Sequence, residues 1–239
     1  MFPIRDDNPT RHRPLLTMLV IAACIVVFFG VQPQDEIDGA TFLYENAAIS
    51  CEILGLEPLT VEEISTGRCG EGSDVAFPSK SIIASMFASV FLHANLLHLG
   101  ANMWSLWIFG NNVEDRLRGF RFVRFYLGTG VVATIAFVVK NPSATVPLIG
   151  ASGAIAGVMG AYLILFPRAT VTAIVPPFFF FPFRVPAMVF LFIWFATQFL
   201  ISDTAGNVAW EAHVGGFVAG VVYALFKGRS QTRRTRLNR

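Results

Sequence analysis

The chain has 239 residues, of which 54% are hydrophobic and only 14% charged, with a mean hydropathy of +0.58. A water-soluble domain carries roughly 45–50% apolar and about 25% charged residues, so a soluble globular enzyme is excluded. The net charge of +2 excludes bulk nucleic-acid binding, and three cysteines are too few for a disulfide scaffold or a Cys-rich zinc site.

Crossing the hydrocarbon takes roughly 20 apolar residues, about 17 at the short end. Residues 1–14 read as a short cytoplasmic lead-in to the first apolar run, 15–31. That run is too long for a cleaved signal peptide and lacks an A-x-A site after it, so it reads as a signal anchor. An outer loop over 32–80 follows and holds 10 of the 16 acidic residues. It is long enough to carry some order of its own. Cys51 and Cys69 lie in it, and the residues leave open whether they pair; Cys24, in the first run, reads as ordinary packing. Further runs cover 96–109, 120–139, 146–166, 185–201 and 212–226, and the first of these needs an upstream extension through His93 and His98 to reach spanning length. Pro167, Pro176, Pro177, Pro182 and Pro186 interrupt the stretch before the fifth run, so it is no continuous helix, and the phenylalanines at 178–181 suit the membrane interface. Residues 228–239 form a basic cytoplasmic tail.

Basic residues concentrate on the cytoplasmic side of a membrane. With the N-terminus inside and six spans, inside segments collect 15 of the 18 Lys and Arg residues, and only Arg68, Lys80 and Lys140 fall outside. The expected architecture is an all-α membrane protein, a six-helix bundle over 15–227 with both termini cytoplasmic.

Polar groups in hydrocarbon cost free energy unless they find partners, so they are functional candidates. His98 and Asn102 share one face of the second span, Ser152 opens the fourth and His213 opens the sixth. All three spans begin on the outer side, so these groups share the outer half of the membrane. A helix from Ser152 to Phe166 rises only about 22 Å at 1.5 Å per residue, against hydrocarbon about 30 Å thick. Ser152 is therefore sunk below the outer surface, and the irregular backbone before it must be buried in protein or line a water-filled pocket. Small-residue packing is the competing role for Ser152. Yet the rows Gly153/Gly157 and Gly216/Gly220 would let the fourth and sixth helices touch, and that contact brings Ser152 toward His213. A serine hydroxyl beside a histidine is the minimum nucleophile–base pair for acyl transfer, and no acidic third member is obvious: Glu211 faces elsewhere and Asp203 lies in the preceding loop.

Four stretches together resemble the rhomboid family of intramembrane serine proteases: His93-Ala94-Asn95-Leu96-Leu97-His98 with Asn102; Phe109-Gly110-Asn111-Asn112-Val113-Glu114-Asp115; Gly150-Ala151-Ser152-Gly153-Ala154; and Ala212-His213-Val214-Gly215-Gly216 with Gly220. The resemblance implies Ser152 as nucleophile, His213 as general base, and His98, Asn102 and Gly150 on the oxyanion side. It implies structural roles for Glu114 and His93, and a gate made of the fifth helix and the 202–211 loop, with Trp194 and Phe195 as gate or packing residues. It further implies single-span membrane proteins as substrates, cut near the outer end of their helix after a small residue. No cofactor or metal is expected, and the partners are the substrate and the lipid bilayer. The compact six-span form suits a bacterial plasma membrane. The first outer loop lacks the Trp-Arg pair of many members. Competing readings are a zinc hydrolase built on His93, His98 and His213, for which H-E-x-x-H is missing, a channel, and a catalytically inactive relative that binds membrane helices.

Overall fold

The computed structural model describes residues 2–175, 178–201 and 209–237. It is mostly helical. A short strand β1 (Phe2–Asp6) leads into helix α1 (Leu15–Gly30). Three short helices, α2 (Glu36–Asn46), α3 (Ser50–Gly55) and α4 (Val61–Thr66), then order much of the first loop. Helix α5 (Ile82–Ala88) ends in a 3-10 turn (Ser89–Phe91), and α6 (Leu96–Leu117) and α7 (Phe120–Lys140) follow. The rest is α8 (Ser152–Leu165), strands β2 (Thr170–Val175) and β3 (Phe178–Pro186), α9 (Ala187–Ile201) and α10 (Trp210–Leu237). Among the described residues α7 alone is long and apolar enough to cross a membrane by itself. The α5 segment and α6, bent by 81°, make a second span if taken together, and α1, α8 and α9 are apolar but shorter.

Two expectations need correction. The upstream extension of the second span does not continue its helix. Asn95 starts α6 afresh, its side chain accepting from the His98 amide at 2.9 Å, and Gln32 bonds both the carbonyl (2.7 Å) and the amide (3.3 Å) of His93. The bend is thus satisfied from outside, as buried irregular backbone requires. The architecture is also not purely helical. β1, β2 and β3 form an antiparallel sheet in that order, at the end of the bundle away from Ser152. The β-branched alternation of Thr170, Val171, Thr172, Ala173 and Ile174 suits a half-buried strand, and Val171 and Ala173 are fully buried.

The N-terminal lead-in is accordingly docked. The Trp104 indole donates to the Pro3 carbonyl at 2.7 Å, and Glu114 accepts from the amides of Leu16 (3.0 Å) and Thr17 (2.7 Å) and from the Thr17 hydroxyl (2.7 Å). Pro14 offers α1 no side-chain cap, so Glu114 of α6 satisfies amides that a helix start otherwise leaves unpaired. Its neighbour Asp115 holds the His12 ring at 2.6 Å and the Arg11 amide at 3.1 Å.

In the first loop, Cys51 and Cys69 are joined by a disulfide, and Lys80 and Glu52 form a buried ion pair at 2.5 Å. Burial pushes the Lys80 ammonium below its ordinary pKa despite that pairing. The phenylalanine cluster lies on β3, where the side chains at 178–180 fall outside the described residues. Helix α10 runs on past 227 without a break.

The core is assembled by small residues. A Cβ on Gly216 would run into the Gly153 carbonyl, one on Gly220 into the Gly157 carbonyl, and one on Gly160 into the Phe217 carbonyl. Helices α8 and α10 therefore lie backbone against backbone. On the other side of α8, Gly153 meets Ala133 and Gly157 meets Thr129 of α7. Close approach of this kind is what small residues allow between membrane helices.

Candidate active site

Helix α8 begins at Ser152 and has 14 residues, so it rises about 21 Å, short of the roughly 30 Å hydrocarbon. The irregular segment before it is held by protein: Leu148 N donates to Ala48 O at 2.8 Å and Gly150 N to Ser89 O at 2.9 Å. Ala48 N in turn donates to the Ser89 hydroxyl at 2.7 Å. Gly150 has φ +118°, a conformation that favours glycine. A Cβ there would sit 2.8 Å from both Cε1 and Nε2 of His98. That residue must therefore be glycine for the His98 ring to lie where it does.

The Ser152 hydroxyl is 2.8 Å from Nε2 of His213. Both residues are half-buried, so the pair lies in a recess and not in a sealed core. The opposite ring nitrogen, Nδ1, is 2.7 Å from Oε1 of Gln198 on α9, while Nε2 of Gln198 donates to the Trp194 carbonyl at 3.1 Å. A carbonyl can only accept, which orients the Gln198 amide with its oxygen toward His213. An amide oxygen can only accept as well, which puts the imidazole proton on Nδ1. The lone pair on Nε2 is thereby left facing the serine hydroxyl, which donates to it. The Trp194 ring lies 6.2 Å from the His213 ring.

His98 and Asn102 lie one turn apart on α6. Nδ1 of His98 accepts a long 3.4 Å bond from the Ala94 amide, which assigns its proton to Nε2, the nitrogen beside Gly150. Asn102 is buried and donates to the His98 carbonyl at 3.1 Å. Neither side chain is hydrogen-bonded to Ser152. Ala151, before α8, makes no side-chain cap, so the first amides of that helix remain free for an incoming anion.

His93 is fully buried, its Nδ1 3.2 Å from the Phe91 carbonyl and its ring edge-on to His98 at 5.2 Å. It supports the bend before α6. Trp194 and Phe195 pack on Phe217 of α10, at 6.0 and 4.7 Å. Glu211 is hydrogen-bonded to Asn141 at 3.2 Å, away from His213. Asp203 and most of the expected gate loop lie outside the described residues. Among the described residues no three His, Cys, Asp or Glu side chains are arranged to hold a metal ion.

Gln198 escapes a search for acidic third members. The signal that could have found it is the one that marks Ser152 and His98: a lone amide in an otherwise apolar run, four residues after Trp194 and thus one turn along the same helix face.

Residues 81–230 match the family model described as the rhomboid domain. The chain is 32% identical over 157 residues to the mitochondrial presenilin-associated rhomboid-like protein of Bos taurus, covering 62% of this chain and 39% of that one. It is 29% identical over 149 residues to the mitochondrial Rhomboid protein 1 of Saccharomyces cerevisiae, covering 59% and 41%. It is 37% identical over 108 residues to the Rhomboid protease GluP of Bacillus subtilis, covering 42% and 21%. The chain thus spans about two fifths of the mitochondrial relatives' length and about one fifth of GluP. These relatives also correct the expected location: a bacterial plasma membrane does not stand against matches to mitochondrial proteins from cow and yeast. With the domain model matching well over half of its length, the chain belongs to the rhomboid family.

Proposed function

We propose that the protein is an intramembrane serine endopeptidase that cleaves single-span membrane proteins near the outer end of their helix. The observation that carries this reading is the 2.8 Å contact between the Ser152 hydroxyl and His213 Nε2 at the sunken start of α8. The membrane domain is six helices with both termini on the basic, inner face, preceded by residues 1–14 and followed by the basic tail. The relatives' names make a mitochondrial membrane the compartment to test first.

The chemistry follows from the tautomer. His213 Nε2 takes the Ser152 proton as Oγ attacks the scissile carbonyl, and the resulting imidazolium gives that proton to the departing amine. Gln198 accepts from Nδ1 throughout and keeps the ring aimed; it is a positioning residue. The charge developing on the carbonyl oxygen is met by the Ser152 amide, with His98 Nε2–H and the Asn102 amide as further donors. Each such donor is worth roughly 10²–10³ in rate when it acts in a water-poor site. Gly150 lets His98 approach the nucleophile.

The test is cleavage of a transmembrane substrate by the purified full chain in detergent. Ser152→Ala and His213→Ala are each expected to abolish cleavage and labelling by a fluorophosphonate probe. Cleavage that survives either substitution refutes the dyad. Stable capture of membrane helices without any cleavage or labelling would instead favour an inactive helix-binding relative.

A further inference from the structure

Along the seam between α7 and α10 lies open space that the dyad does not use. Two grooves flank the seam. One, of about 410 Å³, is lined by Phe125, Gly128 and Val132 of α7 and has Arg121 and Arg124 at its mouth. The other, of about 560 Å³, runs along Val222 and Phe226 of α10. Ala219, Tyr223 and Lys227 line both, so the two grooves share one ridge and one cationic end. The Tyr223 ring is propped against Phe125 at 4.7 Å.

The residue pattern divides by depth. On α7 the charged positions 121 and 124 occupy the opening turns, and 125, 128 and 132 continue down the same stripe. On α10, Lys227 stands where the apolar run 212–226 ends. All three cations therefore lie at the inner interface, above apolar walls; Val132, Val222 and Phe226 are exposed to whatever surrounds the bundle. Among the described residues no carboxylate pairs with these cations, α7 contains no acidic residue, and none follows Lys227 in the sequence. An added Cβ on Gly128 meets nothing within 4 Å, so the first groove is open at its floor.

We propose that this seam binds one anionic phospholipid, its phosphate between Arg121, Arg124 and Lys227 and its two acyl chains in the two grooves. Unpaired cations above apolar channels favour a headgroup of net negative charge with hydrocarbon attached. A free phosphate satisfies only the mouth, and a zwitterionic lipid brings no net charge to it. Basic pockets between membrane helices on the inner side recognise anionic headgroups by these same forces. The inference rests on the chain lying in a membrane and not on the protease reading.

The experiment is native mass spectrometry of the full chain, delipidated in neutral detergent and titrated with phosphatidylglycerol, phosphatidylcholine or inorganic phosphate. Phosphatidylglycerol is expected to stay bound under conditions that strip phosphatidylcholine, and inorganic phosphate is expected not to displace it. Each cation near such a surface strengthens binding about fivefold, so Arg121→Gln, Arg124→Gln and Lys227→Gln together should weaken retention roughly a hundredfold. Because three lost charges could disturb insertion, Gly128→Phe is the second variant. It keeps every cation and fills the groove, and should abolish retention while the melting temperature in lipid-free detergent stays unchanged. Equal retention of phosphatidylcholine, full displacement by phosphate, or wild-type retention by Gly128→Phe at an unchanged melting temperature would each overturn the proposal.

Discussion

Gln198 has the clearest single-residue consequence. Its side chain links α9 to the imidazole at 2.7 Å, and its own orientation is set by the Trp194 carbonyl. The ring of His213 can present a lone pair to Ser152 only in one tautomer, and an acceptor at Nδ1 selects it. Gln198→Leu keeps the size of the side chain and removes the acceptor. A buried hydrogen bond of this kind is worth about 1–3 kcal/mol, which converts to a loss of roughly 5–150-fold in kcat. Fluorophosphonate labelling should fall in parallel, because it needs the dyad but no docked substrate, and KM should hold. Gln198→Glu restores an acceptor and should recover labelling; if Leu and Glu variants behave alike, the residue only fills space. At this scale much of the candidate site was legible in the sequence. Ser152, His213, His98 and Asn102 are each polar side chains in apolar surroundings, and short helix length alone argued that Ser152 is sunk. Gln198 was not, because a search for a third member of a dyad looks for a carboxylate, and the partner here is a neutral amide brought in by tertiary packing from a different helix.

Among the elements, the sheet at the end of the bundle away from Ser152 is what the sequence hid. β1 is a few residues long and contains Pro3, and β2 is separated from β3 by Pro176 and Pro177. Prolines read first as interruptions of a membrane helix, and a strand whose partner is more than 160 residues away leaves no local signal. The apolar helices were legible because an unbroken apolar run near spanning length is itself the signal; the bend before α6 was not, since Gln32 of a distant segment completes it. Asp6 makes the docking of β1 testable. Its carboxylate accepts from the Tyr162 hydroxyl at 2.7 Å and from the Asn112 amide at 2.6 Å, and burial outweighs the Tyr162 bond and raises its pKa from 3.8 to about 6. A carboxyl with a folded pKa above its unfolded one binds protons more readily when folded. Its contribution to stability is therefore full below pH about 4 and is lost as pH rises through about 6. Thermal unfolding in detergent between pH 4 and 8 should show the wild type losing melting temperature across that window. Asp6→Asn keeps an acceptor for Tyr162, has no charge to bury, and should flatten the slope, ending at least as stable as the wild type above pH 7. A variant that keeps the full slope would mean that another group titrates.

For the molecule as a whole, the proposed catalysis depends on how closely two helices lie. Ser152 and His213 stand at the heads of α8 and α10, and nothing covalent holds them together; their 2.8 Å spacing is the consequence of glycine rows farther along. Gly220 is about two turns below His213 and abuts the Gly157 carbonyl of α8. A methyl group there meets backbone, which cannot rotate aside as a flexible side chain would. The helices must part or tilt, an overpacking cost of typically 1–3 kcal/mol. Gly220→Ala should accordingly lower the melting temperature and also reduce Ser152 labelling, although the substitution touches no reacting group. The position on the helix matters, because the same change at Gly128, where an added Cβ meets nothing, should alter neither. If Gly220→Ala labelled at the wild-type rate with an unchanged melting temperature, the dyad would be held by something other than helix contact. If stability fell while labelling did not, the heads of the helices would be fixed independently of their lower turns, with the Gln198 and Ser89 hydrogen bonds as the groups left to do it.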